Sequence, residues 1–492
     1  MPTLADLKRD PERLHQAATL LETENKKLIE KNLELQARVD TLEGREPGTL
    51  QMRIAELEQQ LSVRNQALFG DKSEKRNRAE RRAEQKKAQT GHGPRDQPEL
   101  AQIEQVHTLD AADEMCPKCG GELQVFAGQF EQADEVDVVE RRFVLVKHKR
   151  QKYRCACGGC IETAEGPPKL QKLGRYSVGF ATAVAVGKYA DHLPLQRQVV
   201  QMRRQGLRID SQTLWDQLFA LSSHLQPAYE ALHQHVLSHP VVGADETTWR
   251  LMGQKGVTNT KRWQVWALSA PDAVLYQLHP SRSADAAEQL LQDFEGTVMC
   301  DGYSAYKALE KRRHDFKLAH CWAHARRKFV ELEDSFPQAN EEVLALIGEL
   351  YRVEREMQDE PSDVRLRIRQ QRAGPVVQQI HQWALRQRAL PQSPLGKAIA
   401  YLGKHFDGLR VFLTDPDVPL DNNQTERAMR SVVLGRKNHF GSRSERGTKV
   451  AAMMYSLFES AKINSVDPEL YLKLAALESI AGRPIPLPHQ LG

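Results

Sequence analysis

Three carboxylates carry the chemistry that this sequence could do. Asp245 lies in HPVVGADETTWR, directly after the apolar run Val241-Val242-Gly243-Ala244. Apolar β-branched residues favour a strand, so the run predicts a short buried strand that delivers Asp245 to its end. A buried carboxylate is costly unless a cation, a donor or water meets it. Taken alone, an Asp at that position also fits a turn cap. Asp301 repeats the arrangement: Thr297-Val298-Met299-Cys300 reads as another short apolar strand, and Asp301-Gly302-Tyr303 follows it. In an open α/β sheet, adjacent strand ends bring two such residues to one edge.

Glu426 is the third acid, in DNNQTERAMR at the start of a helical pattern. Asn423 and Glu426 also fit a helix N-cap with its N3 glutamate. A capping box leaves unexplained the cations that follow, Arg427, Arg430, Arg436, Lys437, Arg443, Arg446 and Lys449, against the lone acid Glu445. Carboxylates hold Mg2+ and cations hold a polyanion, which together equip a site that cuts phosphodiesters. Glu246 should point to the opposite strand face from Asp245 and is the weaker candidate.

The elements that must position these acids are legible in outline. Thr248 to Met252, Arg262 to Ser269 and Ala273 to Leu278 read as strands, and Ser283 to Phe294 reads as a helix before the strand at Thr297. Upstream, Pro194 to Gln205 is helical in composition. Gly206 to Ile209 reads as a turn, and Asp210 can cap a helix opening at Ser211. Helix, Gly-containing turn and capped helix make a helix-turn-helix pattern, which an ordinary αα-hairpin shares.

Seven cysteines are present, five of them between Cys116 and Cys160. That clustering suits metal ligation in a reducing compartment, the cytoplasm, rather than a disulfide framework. Cys116-Pro-Lys-Cys119 is a CxxC knuckle. Cys155-Ala-Cys157-Gly-Gly-Cys160 follows after a segment, Phe130 to Arg154, patterned like a β-hairpin. Two thiolate pairs so joined suit a structural Zn2+ with four sulfur ligands. Cys116, Cys119 and Cys155 are three of them; the fourth is Cys157 or Cys160, between which spacing does not choose.

At the N-terminus, Leu14, Leu21, Leu28, Leu35 and Leu42 recur every seven residues, with Asn25 and Asn32 among the positions paired with them. This heptad pattern predicts a parallel coiled coil and therefore a homo-oligomer. A basic block follows: Lys72 to Lys87 holds eight Lys/Arg against three Glu, although the chain's net charge is only +4. Such segregated basic blocks suit phosphate backbones. No signal-like h-region opens the chain, and the most apolar run, Val178 to Val186, is too short to span a bilayer, so no membrane partner is expected.

Together, GADETTWR, MCDGYSAYKAL, HCWAHARRKF and DNNQTERAMRSVVLGRKNHFGS resemble the insertion sequence 66 family of DDE transposases. LFGDKSEK, CPKCGG and DHLPLQRQ…RQGLRIDSQTLWD resemble it too, in the same order and over essentially the whole chain. The resemblance implies a multidomain, mainly α protein with an α/β, RNase H-like catalytic core interrupted by a helical insertion. In it Asp245, Asp301 and Glu426 are the metal-binding triad for two Mg2+ or Mn2+, which in such sites stand roughly 3.5–4 Å apart. Asp245 would serve both ions, Asp301 one and Glu426 the other.

The expected organisation is a coiled coil over 1–65, a basic linker over 66–100, and a zinc-binding module that contacts DNA over 101–168. A helix-turn-helix-like segment over 169–238 follows. The catalytic core takes 239–330 and 420–465, the insertion 331–419 and a C-terminal tail 466–492. The partners implied are double-stranded DNA, both element ends and target, with Arg427, Arg430, Arg436, Lys437 and Arg443 on it, and accessory proteins of the same element. The expected reaction is hydrolysis at element ends followed by strand transfer of the freed 3′-OH. A DNA-binding regulator that holds ends without cutting shares every N-terminal feature, and a nuclease without strand transfer shares the triad. Cys321 and His324 form a Cys-x-x-His also seen in such families; they read either as neighbours of the acids or as a helix start packed on the sheet. A second zinc involving Cys300 is a lesser reading.

Overall fold

The structure, a computed structural model, describes Lys27, Lys31, Lys118 and residues 143–154, 161–252, 261–332 and 337–492. The heptads, the basic block and Cys116, Cys119, Cys155, Cys157 and Cys160 lie outside the described residues. Around the second cysteine cluster, β1 (Lys152–Arg154) pairs antiparallel with β2 (Ile161–Thr163). The hairpin therefore brackets that cluster. The hairpin expected over Phe130 to Arg154 is not seen in its described part, since residues 143–151 carry no strand.

Three helices precede the sheet: α1 (Val178–Tyr189), α2 (Leu195–Arg204) and α3 (Ser211–Leu237). The turn between α2 and α3 contains Gly206 at φ 86°, and the Asp210 side chain accepts from the Thr213 N–H at 2.7 Å, as a cap should. The two helices, the Gly-containing turn and the capped start are thus present, as both the helix-turn-helix and the αα-hairpin readings expect. Leu214, Leu218, Leu221, Leu225, Leu232 and Val236 on α3 are buried, so this helix packs in the core along its length.

The sheet has five strands in the order β5-β4-β3-β6-β7, made of β3 (Val241–Leu251), β4 (Lys261–Ser269), β5 (Val274–His279), β6 (Thr297–Cys300) and β7 (Lys317–His320). β3, β4 and β5 run antiparallel, and β6 and β7 add parallel to β3. The parallel crossovers contain α4 (Ala284–Leu291) and α5 (Ser304–Arg313). Two expectations change here. The strand after Asp245 does not end there, because Thr247, Thr248 and Trp249 keep pairing with β4 and merge with the stretch read as a separate strand. β7 was not anticipated; it is only four residues long, and its first residue, Lys317, is exposed.

β5 is an edge strand whose free backbone is met from a helix. Ser456 and Ser460, fully buried on α12 (Glu445–Ile463), bond the Tyr276 and Val274 N–H groups at 2.8 and 3.0 Å, and Ser460 also donates to the Val274 carbonyl. An edge closed in this way cannot recruit another strand.

Between β7 and α11 (Asn423–His439) the described chain is helical: α6 (Trp322–Val330), α7 (Pro337–Glu356), α8 (Ser362–Ile368), α9 (Gly374–Arg386) and α10 (Pro394–Leu409). Trp322, Phe329, Ile347, Leu350, Ile380, Trp383 and Leu402 form one apolar cluster that includes Met299 and Ala319 of the sheet. Arg369, in a π-helical turn after α8, is almost wholly buried. Its Nη1 faces the carbonyls of Phe412, Asp415, Pro416 and Val418 at 3.0–3.2 Å, and it grips Glu354 with two bonds of 2.9 and 2.8 Å. Residues 466–492, read as a tail, contain α13 (Pro468–Ile480), on which Tyr471, Leu472, Ala475 and Ala476 are buried.

Candidate active site

Strand alternation puts Gly243 and Asp245 on one face of β3 and Ala244 and Glu246 on the other. β6 pairs with β3 as far as Gly243↔Met299. Two residues further on, the same register sets Asp301 beside Asp245, just past the end of the parallel ladder. Asp301 is fixed locally. Its Oδ1 accepts from the Tyr303 N–H at 2.8 Å, and its carbonyl accepts from the Tyr401 hydroxyl at 2.7 Å. Gly302 follows at φ 90°, with the His405 ring where a side chain would be.

The third acid arrives on α11. Asn422 Nδ2 donates to the Ala244 carbonyl at 2.8 Å, Thr425 Oγ1 donates to Asn422 Oδ1 at 2.6 Å, and Ser269 Oγ lies 2.6 Å from Thr425 Oγ1. These three side chains are buried and tie the first turn of α11 to β3 and β4. The approach depends on Gly243: a Cβ there would lie 2.7 Å from Asn422 Oδ1 and from Ser269 Oγ, and closer still to Thr425 Oγ1. Glu426, next after Thr425, is thereby brought to the face that carries Asp245. Asn422, not Asn423, is the cap residue, and its side chain is spent on the sheet. Asn423 instead donates to Asp421 Oδ2 at 2.6 Å. Glu426 is therefore not part of a capping box, because a cap at Asn422 makes it the fourth helical residue.

The electrostatics agree with the geometry. Burial pushes the Asp245 carboxyl up to about 7, and the charges of Glu246, Asp301 and Glu426 push the same way; the Glu246 N–H on Asp245 Oδ1, at 2.8 Å, opposes them. A buried carboxyl raised further by the charges of neighbouring acids favours positive charge beside it. Glu426 Oε1 and His324 Nδ1 are both buried, 3.6 Å apart and without a hydrogen bond. Arg327 Nη2 lies 3.8 Å from Glu426 Oε2. Burial holds the His324 imidazole below its ordinary pKa, partly offset by Glu426 and Asp301. Cys321, His324 and Glu426 offer ligand atoms within 4.8 Å of one another. Cys321 also accepts from the Asn422 N–H at 3.2 Å. Cys321 thus starts α6 against the sheet, and His324 lies beside Glu426.

Glu246 is on the far face, ion-paired with Arg282, which lies over the Tyr303 ring. Burial raises its pKa and Arg282 opposes this. Of the cations, Arg427, Arg430 and Lys437 are exposed at helical spacing on one side of α11, and Arg443 is exposed beyond it. Arg436 differs: its guanidinium bonds Thr247 Oγ1 at 3.3 Å, Thr248 Oγ1 at 2.9 Å and the Thr248 carbonyl, so it braces α11 on β3. Arg327 was missed from sequence, although the basic run in HCWAHARRKF was its signal. Cys300 is buried beside His320, 3.9 Å from Nδ1, and joins no metal-binding group among the described residues. No helix among the described residues is long and apolar enough to cross a membrane.

Residues 173–450 match the model of the family described as transposase IS66 family, and residues 113–158 match the zinc-finger binding domain of transposase IS66. Three similar proteins come from Sinorhizobium fredii (strain NBRC 101917 / NGR234). Uncharacterized protein y4jD is 33% identical over 74% of this chain and 74% of its own length. Uncharacterized proteins y4qI and y4hP are 30% and 26% identical over 75% and 78% of this chain and 71% and 73% of theirs. The solved Mos1 transposase paired-end complex with left transposon end is 10% identical over 50% of this chain and 80% of that one; its TM-score of 0.14 is too low to argue a shared fold. The chain belongs to the IS66 family of transposases.

Proposed function

We propose that this IS66 family chain cuts the ends of its DNA element by metal-dependent hydrolysis and joins the freed 3′-OH ends to target DNA, with Asp245, Asp301 and Glu426 as the DDE triad. The observation that carries the reading is the Asp245 carboxyl, which burial pushes up to about 7 and which the charges of Glu246, Asp301 and Glu426 push the same way. Three antiparallel strands followed by two parallel ones, with acids on the first and fourth in chain order, suit an RNase H-like core.

The residues fit hard divalent cations. An all-oxygen set, one member of it buried and Glu426 Oε1 without a hydrogen bond, suits Mg2+ or Mn2+. When bound, such cations lower the pKa of water and stabilise charge on phosphoryl oxygens. The chain's own residues do the rest. Asp245, Asp301 and Glu426 would hold the ions; the Asn422–Thr425–Ser269 network holds Glu426 in register; Arg427, Arg430, Lys437 and Arg443 would present positive charge to the DNA backbone. Arg327 balances Glu426. Cys116, Cys119, Cys155 and Cys157 would hold a structural zinc, and the family match ending at residue 158 favours Cys157 over Cys160.

The test is cleavage and joining by purified protein with end-containing DNA and Mg2+ or Mn2+. Asp245→Ala, Asp301→Ala and Glu426→Ala should each abolish cutting while DNA binding persists. Wild-type cutting by Asp245→Ala would sink the assignment, and cleavage without joined products would leave only a nuclease.

A further inference from the structure

The far end of α11 carries an aromatic ring that the fold does not use. Phe440, the residue that ends the helix, has φ 64°. Its N–H bonds the Arg436 carbonyl at 2.9 Å, so the backbone closes α11 in the left-handed conformation that Gly or Asn ordinarily supplies. For a bulky side chain that conformation is strained. Burying the ring would offset the strain, yet Phe440 is 62% exposed. Its neighbours on both sides are fixed. His439 is buried, with Nε2 3.2 Å from the Tyr455 hydroxyl, and Gly441, at φ 122°, has no room for a Cβ against the Arg250 carbonyl. The Ser442 N–H donates to that carbonyl at 3.0 Å, the Met252 N–H donates to the Ser442 carbonyl at 2.8 Å, and Ser442 Oγ accepts from Trp249 Nε1 at 3.1 Å. The ring is held out from a rigid seat.

The surface that leads to it is cationic. Arg427, Arg430, Leu434 and Lys437 are exposed at three- and four-residue spacing and form one stripe along α11, and Arg443 is exposed just past Phe440. Leu434, in the middle of the stripe, is itself 51% exposed. Glu426 is the only acid in α11. At about 1.5 Å per residue, Phe440 lies about 21 Å from Glu426 along the helix axis. Cations at this spacing suit the phosphates of a polyanion, and apolar groups among them suit the bases that the phosphates flank.

We propose that Phe440 is a wedge that enters a base step of the bound duplex and unstacks it, while the cations of the stripe hold the backbone beside it. The inference rests on the proposed reading of α11 as the helix that faces DNA. Rigid seating suits the task, because a ring already fixed in place loses little freedom on insertion. Unstacking one step kinks the duplex and lets it follow more of the protein surface.

The test measures binding and not cutting, with full-length protein, duplex DNA carrying the element end and no added Mg2+ or Mn2+. Phe440→Gly and Phe440→Asn suit the left-handed backbone, so both should melt no lower than wild type. Both should nevertheless bind about tenfold more weakly, with the salt dependence of affinity unchanged because no cation is lost. Phe440→Trp should bind like wild type. A single mismatch moved along the duplex should tighten wild-type binding at one step, where unstacking costs less, and should not tighten binding by Phe440→Gly. Wild-type affinity in Phe440→Gly and Phe440→Asn would overturn the inference. If Arg430→Ala still weakens binding in that case, α11 faces DNA and only the wedge falls; if it does not, the DNA-facing reading of α11 falls as well. Unchanged affinity with an altered oligomeric state would instead assign the ring to a contact between copies of the chain.

Discussion

Gly243→Ala tests the architecture of the centre without touching any acid. The added Cβ would sit 2.7 Å from Asn422 Oδ1 and Ser269 Oγ, where ordinary contact begins at 3.4 Å. The start of α11 must therefore move off β3 by about 0.7 Å, and more at Thr425. Neither Asn422 nor Thr425 can swing aside, since both are buried and bonded to each other. Overpacking of this kind costs about 1–3 kcal/mol, which a chain of this size should survive. Glu426 moves with the helix, and a displacement near 1 Å at a catalytic group costs on the order of 100-fold in rate. The assay is Mg2+-dependent cleavage of end DNA at a temperature where circular dichroism shows variant and wild type equally folded. Cleavage within about threefold of wild type would refute the claim that Gly243 sets the position of Glu426.

Other outcomes follow from the same geometry. In EDTA, the Asp245 carboxyl at about 7 lies above its unfolded value, so the native state binds the extra proton between roughly pH 4 and 7. The stability this contributes is full at low pH and is lost as pH rises through 7; added Ca2+ or Mg2+ should therefore raise the melting temperature more at pH 8 than at pH 6, and an equal rise would count against these acids as the metal site. Arg369→Met leaves Glu354 without its partner and four carbonyls short of a donor; a loss on the order of 3 kcal/mol by urea unfolding is expected, tempered by the partial exposure of Glu354. Cys157→Ser should release the module's zinc and Cys160→Ser should not, read as zinc per chain by metal analysis. Arg430→Ala and Lys437→Ala should each flatten the salt dependence of DNA affinity by about 0.9 in log–log slope, whereas Arg436→Ala should instead lower stability.

The candidate acids stood out because Asp245 and Asp301 follow apolar strand-like runs and Glu426 opens a basic helix. Val241 to Ala244 and Thr297 to Cys300 mark strands, and the cations after Glu426 mark a helix face. What pairs them was less legible. β7 is too short to show alternation, and the polar pair Glu246-Thr247 looked like a break between strands where β4 in fact carries the pairing through. Asn422 and Asn423 are interchangeable as caps by type, and only the bond to Ala244 distinguishes them. The contact of His324 with Glu426 joins residues about a hundred positions apart, which no local pattern encodes.

Arg369 gathers the carbonyls of Phe412 to Val418 immediately before the turn that leads into Asn422 and Glu426. The consequence concerns the order of events during synthesis. Asp245 and Asp301 emerge from the ribosome early, and Glu426 only after the helices that pack around Arg369 have been made. A growing chain therefore holds two of the three acids for more than a hundred residues without a complete centre. With the proposed triad as the cutting centre, cutting competence would come only once the chain is made through Glu426, most of its length.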